Sequence, residues 1–138
     1  MVSIDKFTQK PIYEQIIDGI EKDIALGILR EGEAIPSVRE LSMTLGINPN
    51  TIQKAYIELE RRNIIVPIPG RGSFVSSDAR QAIRTAAERK LDDIYSMICE
   101  LRMAGVEYEK VLDTLGRAYK DTKEEKNDKC KQCNDALR

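Results

Sequence analysis

The sequence predicts a mainly α-helical fold with one small β-hairpin. Three observations predict it: apolar residues recur at helical spacing along most of the chain, glycine and proline separate these repeats, and two short β-prone runs flank a turn rich in proline and glycine. The chain has 138 residues, of which 41% are hydrophobic, so it is expected to hold one ordinary domain or two small ones.

The first helix is predicted from about Pro11 to Leu26. Pro11 suits the first turn because the leading N–H groups of a helix have no partner within it, and Gly27 suits the left-handed conformation that often follows a helix. Residues 33–35 then form a short extended stretch bounded by glycine and proline. The apolar face of the helix is expected to contain Ile12, Ile16, Ile20 and Ile24.

Two shorter helices are predicted next, joined by a tight turn at Gly46. Ser37 and Glu40 form a capping box at the start of the first, in which each side chain bonds the backbone N–H of the other residue. Asn48 and Pro49 suit the N-cap and the first turn of the second. The buried stripe of this second helix is expected to be Ile52, Ala55, Tyr56 and Leu59. Such a pair of helices is a helix-turn-helix.

A β-hairpin is predicted after Asn63, from residues 64–66 and 73–75 around the turn at residues 67–72. A hairpin directly after a helix-turn-helix is a wing, so residues 1–77 are predicted to form a winged helix-turn-helix. The plainer alternative is a small α/β domain in which the hairpin only closes the core. The order of the elements favours DNA binding, because it matches a known docking geometry.

Residues 78–121 are predicted to form two longer helices that meet at Gly105. Two helices joined by a tight turn are expected to fold back antiparallel, and because a lone pair cannot enclose a core, their apolar faces predict a homodimer. The predicted dimer interface is Ile83, Ala87, Leu91, Ile94, Ile98, Leu101, Leu112 and Leu115. Residues 122–138 have almost no apolar side chains and are expected to form a disordered polar tail.

The composition argues against an enzyme. The chain has no histidine, no G-x-S-x-G, no phosphate-binding loop and no dinucleotide-binding G-x-G-x-x-G, so no catalytic residue, cofactor or metal is expected. The net charge of -1 also predicts weak non-specific DNA binding. Any basic patch must be local, and residues 37–76 offer Arg39, Lys54, Arg61, Arg62 and Arg71 against Glu40, Glu58 and Glu60.

Three cysteines do not indicate a disulfide framework, and reduced thiols are expected. Cys130 and Cys133 form one C-x-x-C, which supplies two ligands where a structural zinc site needs four, so a thiol or metal sensor is only an alternative to an incidental motif. No apolar run approaches the roughly 20 residues of a membrane span, and the N-terminus lacks the pattern of a signal peptide. A cytoplasmic protein without membrane contact is expected.

The residues expected to contact DNA lie off the buried stripe of the second short helix, before it, and at the tip of the wing. A glutamine at Gln53 can pair with adenine, while Arg39 and Arg71 can bind phosphate or guanine. For each residue the alternative is an ordinary solvated side chain. The predicted DNA-binding residues are Ser37, Arg39, Asn48, Asn50, Thr51, Gln53, Lys54, Gly70, Arg71 and Gly72.

Residues 10–75 resemble the N-terminal domain of the GntR family of bacterial regulators. The resemblance lies in PIYEQI at residues 11–16, IPSVREL at 35–41, TIQKAY at 51–56 and GRGSFV at 70–75, in that order. It implies that Arg39, Thr51 and Gly70 stand at DNA-contacting positions. The sequence departs from the family at Asn48-Pro49, where many members have Ser-Arg, and at Gln53, where arginine is common, which implies fewer cationic contacts.

The remainder of the chain is too short for the larger effector domains of other branches and resembles the two-helix module of the YtrA branch. This resemblance implies a homodimeric repressor of double-stranded operator DNA with an inverted-repeat site, often encoded beside ABC-transporter genes. No residue pattern identifies a small-molecule effector. The near-neutral charge keeps one alternative open, a winged-helix module that docks protein rather than DNA.

Overall fold

A computed structural model describes the backbone of residues 2–135 and the side chains of residues 2–121. The elements are α1 (Ile12–Ala25), α2 (Val38–Leu45), α3 (Pro49–Arg61), β1 (Ile65–Ile68), β2 (Gly72–Val75), α4 (Ala79–Glu88), α5 (Lys90–Met103) and α6 (Tyr108–Asp135). The mainly α-helical fold with a small antiparallel sheet is thus confirmed. The chain divides into two compact units, unit 1 (Met1–Glu88) and unit 2 (Arg89–Arg138).

Unit 1 is built around α3, which packs against α1, α2 and β1. The isoleucines predicted at positions 16, 20 and 24 of α1 are buried, and so are the four residues predicted for the stripe of α3, whereas Ile12 at the start of α1 is exposed. The largest fully buried side chains are Ile16, Ile17, Ile24, Ile52, Leu59, Ile64 and Ile65. One continuous core therefore holds α3 in place while its other face stays in solvent.

The wing is an antiparallel hairpin in which Ile65 pairs with Val75 and Pro67 with Ser73. Residues 33–35 lie along the other side of β2, since the Ile35 N–H donates to the Ser73 carbonyl at 3.0 Å and the Val75 N–H donates to Glu33 at 2.9 Å. The hairpin is thereby fixed to the segment that leads into α2.

The local signals at the helix ends are confirmed. The Ser37 hydroxyl accepts from the Glu40 N–H at 3.2 Å, and the Glu40 carboxylate accepts from the Ser37 N–H at 2.7 Å, which completes the capping box. These bonds lower the pKa of Glu40. Gly46 and Asn63 adopt the left-handed backbone, with φ of 64° and 57°, at the ends of α2 and α3.

The position of α4 differs from the sequence-based expectation. This helix packs against α1, and Ala79 is completely buried. Ile83, predicted for the dimer interface, is partly buried against the core of unit 1, whereas Ala87 is exposed. The apolar spacing is correct, but spacing alone does not say which neighbour covers a helix. The compact unit consequently extends to Glu88, beyond the expected boundary at residue 77.

Unit 2 consists of α5 and α6, joined by a turn at Gly105 with φ of 85°. Among the described residues, α5 and α6 do not pack closely against each other, and the apolar residues on them that were predicted for the dimer interface are exposed in the single chain. The backbone of α6 continues as a helix to Asp135, where a disordered tail was expected; residues 122–135 include four lysines and two glutamates, which favour helices. Cys130 and Cys133 lie outside the described side chains.

Over the described residues, none of the helices has the length and apolar content that a membrane crossing requires.

Candidate DNA-binding surface

The N-terminal half of α3 presents polar side chains to solvent. Asn50, Gln53 and Lys54 are exposed and Thr51 is partly buried, while Ile52 on the opposite side is completely buried. Amide and ammonium groups at the start of a helix are suited to reach base edges or phosphates when the helix lies in a major groove. The core fixes the helix, so the polar face is presented rigidly.

Two of the predicted contact residues also cap helices. The Ser37 hydroxyl oxygen accepts from Glu40 at the start of α2, and the Asn48 side-chain oxygen accepts from the Asn50 N–H at 2.9 Å at the start of α3. Their acceptor oxygens are therefore engaged within the protein, while the Ser37 O–H and the Asn48 NH₂ remain able to donate. Both residues set the direction in which the helices begin.

Arg39 and Arg71 are the cations best placed for a nucleic acid. Both are exposed, and among the described residues neither side chain has an ion pair or a hydrogen bond. Arg71 lies between Gly70 and Gly72, whose φ angles of 77° and 100° are strained for other residues. The wing tip thus depends on these two glycines to present the arginine.

Lys54 has a neighbour that no local pattern predicted. Its ammonium lies 3.9 Å from the centre of the Tyr13 ring on α1, and the Tyr13 hydroxyl donates to Glu14 at 3.0 Å. A cation–π contact of this kind restrains an exposed lysine without neutralising it. Because 41 positions separate the two residues, sequence spacing carries no sign of the contact.

Arg61 and Arg62, which the sequence analysis counted among the basic residues, form ion pairs within the protein. Arg61 donates to both oxygens of Glu58 at 2.6 and 2.8 Å, and Arg62 bonds Glu58 at 2.8 Å and Glu21 at 3.2 Å. The two guanidinium groups lower the pKa of Glu58 to about 2. Of the five cations counted in residues 37–76, Arg39, Lys54 and Arg71 therefore remain without an ion pair among the described residues.

The chain is similar to known bacterial transcriptional regulators. Residues 12–75 match the family described as bacterial regulatory proteins, gntR family. The HTH-type transcriptional repressor YtrA of Bacillus subtilis (strain 168) is 39% identical over 127 residues, which are 89% of this chain and 95% of that protein.

Solved structures of GntR-family regulators are similar to this chain in fold. A GntR family transcriptional regulator from Listeria monocytogenes is 33% identical, with a TM-score of 0.68 over 83% of this chain and 98% of its own. YtrA from Sulfolobus acidocaldarius, a GntR-family transcription factor, is 30% identical, with a TM-score of 0.54 over 87% of this chain and 97% of its own.

These relatives match residues well beyond the wing, so the likeness is not confined to the helix-turn-helix. The exposed polar face of α3, the free arginines and the wing supply the physical basis for binding DNA. The chain therefore belongs to the GntR family, as a YtrA-like DNA-binding transcriptional regulator and not an enzyme.

Proposed function

We propose that the protein is a homodimeric repressor that binds an inverted-repeat operator. The observation that carries this proposal is the contrast between unit 1, whose polar face is fixed and free, and unit 2, whose apolar faces are uncovered. The B. subtilis relative is a transcriptional repressor, which supports repression as the direction of regulation.

The proposed DNA contacts begin with the start of α3 in the major groove. Gln53 is an adenine reader by its chemistry, and Arg39 binds guanine or a nearby phosphate. Arg71 reaches the DNA backbone from the wing, and Lys54 adds a phosphate contact. Ser37, Asn48, Asn50 and Thr51 donate to phosphates or hold the helix starts in register.

The proposed dimer interface lies on unit 2. The exposed fractions of Leu91, Ile94 and Leu112 are 60%, 44% and 48%, and several large apolar side chains exposed at helical spacing favour a partner that covers them. A second copy is the occupant that the symmetry of most soluble assemblies favours. The interface residues we propose are Leu91, Ile94, Ile98, Leu101, Leu112 and Leu115. Ile83 is left out because the core of unit 1 partly covers it.

A two-fold dimer presents one α3 to each half of its binding site, so the operator is an inverted repeat. Tethering makes the second half-site contact intramolecular, at an effective concentration on the order of millimolar, and raises affinity by roughly 10² to 10⁴ over one half. Because few cations contact the DNA, we expect tight binding to depend on engaging both half-sites.

We further propose that the targets include ABC-transporter genes, on the resemblance to the YtrA branch alone. Deleting the gene in its host and measuring transcripts tests this, because loss of a repressor raises the transcripts of its targets. Unchanged transporter transcripts would contradict this part of the proposal and leave DNA binding untouched.

Selection from a randomised duplex library with the full-length protein, at moderate salt, tests the binding itself. We expect an enriched sequence with two-fold symmetry, followed by protection of both half-sites in a footprint. Enrichment of a single unrepeated half-site would contradict the dimeric arrangement. No enrichment at all would favour a winged-helix module that docks protein.

A further inference from the structure

We propose that the Tyr56 hydroxyl is a positioning group for DNA recognition, which fixes the start of α2 and thereby places Arg39 relative to α3. Tyr56 lies in the buried stripe of α3 and is only 3% exposed. Its hydroxyl donates to the Pro36 carbonyl at 2.6 Å, across 20 positions of sequence. The inference rests on the proposed contact between Arg39 and DNA.

The Pro36 carbonyl stands directly before the N-cap of α2. The backbone ladder of α2 begins one residue later, with the Leu41 N–H donating to the Ser37 carbonyl at 2.9 Å. Among the described residues, no backbone N–H donates to the Pro36 carbonyl. Tyr56 is therefore the group that satisfies this carbonyl and fixes its direction.

Arg39 is connected to that carbonyl by a short, rigid stretch. Ser37 caps the helix and is held from both sides by Glu40, and Arg39 is the second residue of α2. A rotation of the Pro36–Ser37 peptide would therefore change the direction of the first turn of α2. Because Arg39 has no other partner within the described residues, its place depends on this first turn.

The hydrogen bond adds what apolar packing between α2 and α3 does not supply. Contacts of buried residues such as Leu41 hold the two helices together, but they are not directional. A hydrogen bond restrains both distance and angle. Tyr56 lies one turn after Gln53 on the same helix, so the bond relates the two proposed base readers, Gln53 and Arg39, to each other.

The hydroxyl is held as a donor. Burial raises the pKa of Tyr56 to about 12, with a smaller contribution from the Glu40 carboxylate. A phenylalanine would fill nearly the same volume but leave the Pro36 carbonyl without its donor. The substitution Tyr56→Phe is thus a narrow probe of the bond.

A double-mutant cycle tests the inference, with the duplex enriched by the wild-type protein as probe. We expect Tyr56→Phe to weaken binding about fivefold in the presence of Arg39, and by less than about 1.5-fold in an Arg39→Ala background. In an Arg71→Ala background the loss should stay about fivefold, because the wing is a separate contact. Equal losses in all backgrounds, or no loss, would overturn the inference.

A second pair of variants reaches the same segment without touching the core. Glu40→Ala removes the capping-box acceptor and should also weaken binding only when Arg39 is present. Glu40→Gln keeps an acceptor while removing the charge, and should retain most of the wild-type affinity. A loss that does not depend on Arg39, or that is equal for Glu40→Ala and Glu40→Gln, counts against positioning.

The two proposals fail in different ways. If the wild-type protein binds the probe but Arg39→Ala binds equally well, Arg39 is no contact and the positioning role of Tyr56 falls with it, while DNA binding stands. If the wild-type protein selects no sequence, the proposed function itself is contradicted.

Discussion

Unit 1 and unit 2 carry the same kind of apolar spacing but bury it to different extents. In α1 the stripe is buried from Ile16 to Ile24, whereas in α5 no residue is buried and Ile94 is 44% exposed. Helical spacing therefore tells where a face must be covered, and not by what. For α4 the cover came from α1; for α5 and α6 we propose that it comes from a second copy.

The largest effect is expected from a charge placed on the exposed apolar face of α5, for which unit 1 has no counterpart among its described residues. Ile94→Asp places an unpaired carboxylate in the proposed interface, at a cost of several kcal/mol, roughly 3 to 5 for a buried unpaired charge. Sedimentation should show a monomer, and affinity for an inverted repeat should fall by roughly 10² to 10⁴. Ser96→Asp adds the same charge off the stripe and should remain dimeric. A full dimer of Ile94→Asp would place the interface elsewhere.

The next effect concerns where unit 1 ends. A fragment of residues 1–88 should fold as a monomer, while one of residues 1–77 loses the buried Ala79 and the partly buried Ile83. We expect the shorter fragment to be less stable by about 2 kcal/mol, from the apolar area that it leaves uncovered. Urea denaturation of both fragments measures this. Equal midpoints would show that α4 adds nothing to the core.

Arg39→Ala tests the proposed DNA-binding surface of unit 1. Loss of the Arg39 side chain should weaken operator binding by about 1 to 3 kcal/mol with little change in stability, because this side chain is exposed and unpaired within the described residues. Arg61→Ala is the matched control, since Glu58 already engages that arginine. Fluorescence anisotropy on the selected duplex compares them. Similar losses for both variants would mean that charge, not placement, decides binding.

The smallest effect is an acid sensitivity confined to unit 1. The pKa of Glu58 is lowered from 4.5 to about 2 in the folded protein by its bonds to Arg61 and Arg62. A lowered pKa stabilises the fold above the unfolded value, and this contribution is lost as pH falls from about 4.5 to 2. Glu58→Gln should flatten that part of the stability profile, measured by denaturation at stepped pH. An unchanged slope would assign acid sensitivity to other carboxylates.

Most of the fold of unit 1 was predictable because its signals are local. The capping box of Ser37 and Glu40, the turn at Gly46 and the stop at Asn63 each depend on neighbours a few positions away. Contacts between distant residues were not predictable in this way. The Tyr56 hydroxyl bond and the Lys54–Tyr13 contact join positions on different elements, so no spacing reveals them.

The exposed residues of the candidate surface were predicted from the sequence, but the pairing of its charged groups was not. Arg39 and Arg71 are exposed as expected, whereas Arg61 and Arg62 form ion pairs that a count of charges does not reveal. The turn at Gly105 was predicted, but the single helix expected before it is divided into α4 and α5, and α6 continues past the expected end at residue 121. Close packing of α5 against α6 is not seen among the described residues. The spacing predicts that these faces are covered, but it does not identify the molecule that covers them.

The pairing of Pro67 with Ser73 has a consequence for solubility. The Ser73 carbonyl accepts from Ile35 on the far side of β2, so Ser73 points its backbone groups away from β1, and Pro67 correspondingly faces the free edge of the sheet. Proline offers no N–H there, which makes this edge a poor template for another strand. A hairpin that must stay exposed to meet DNA is thereby kept from stacking edge to edge with other hairpins and forming aggregates.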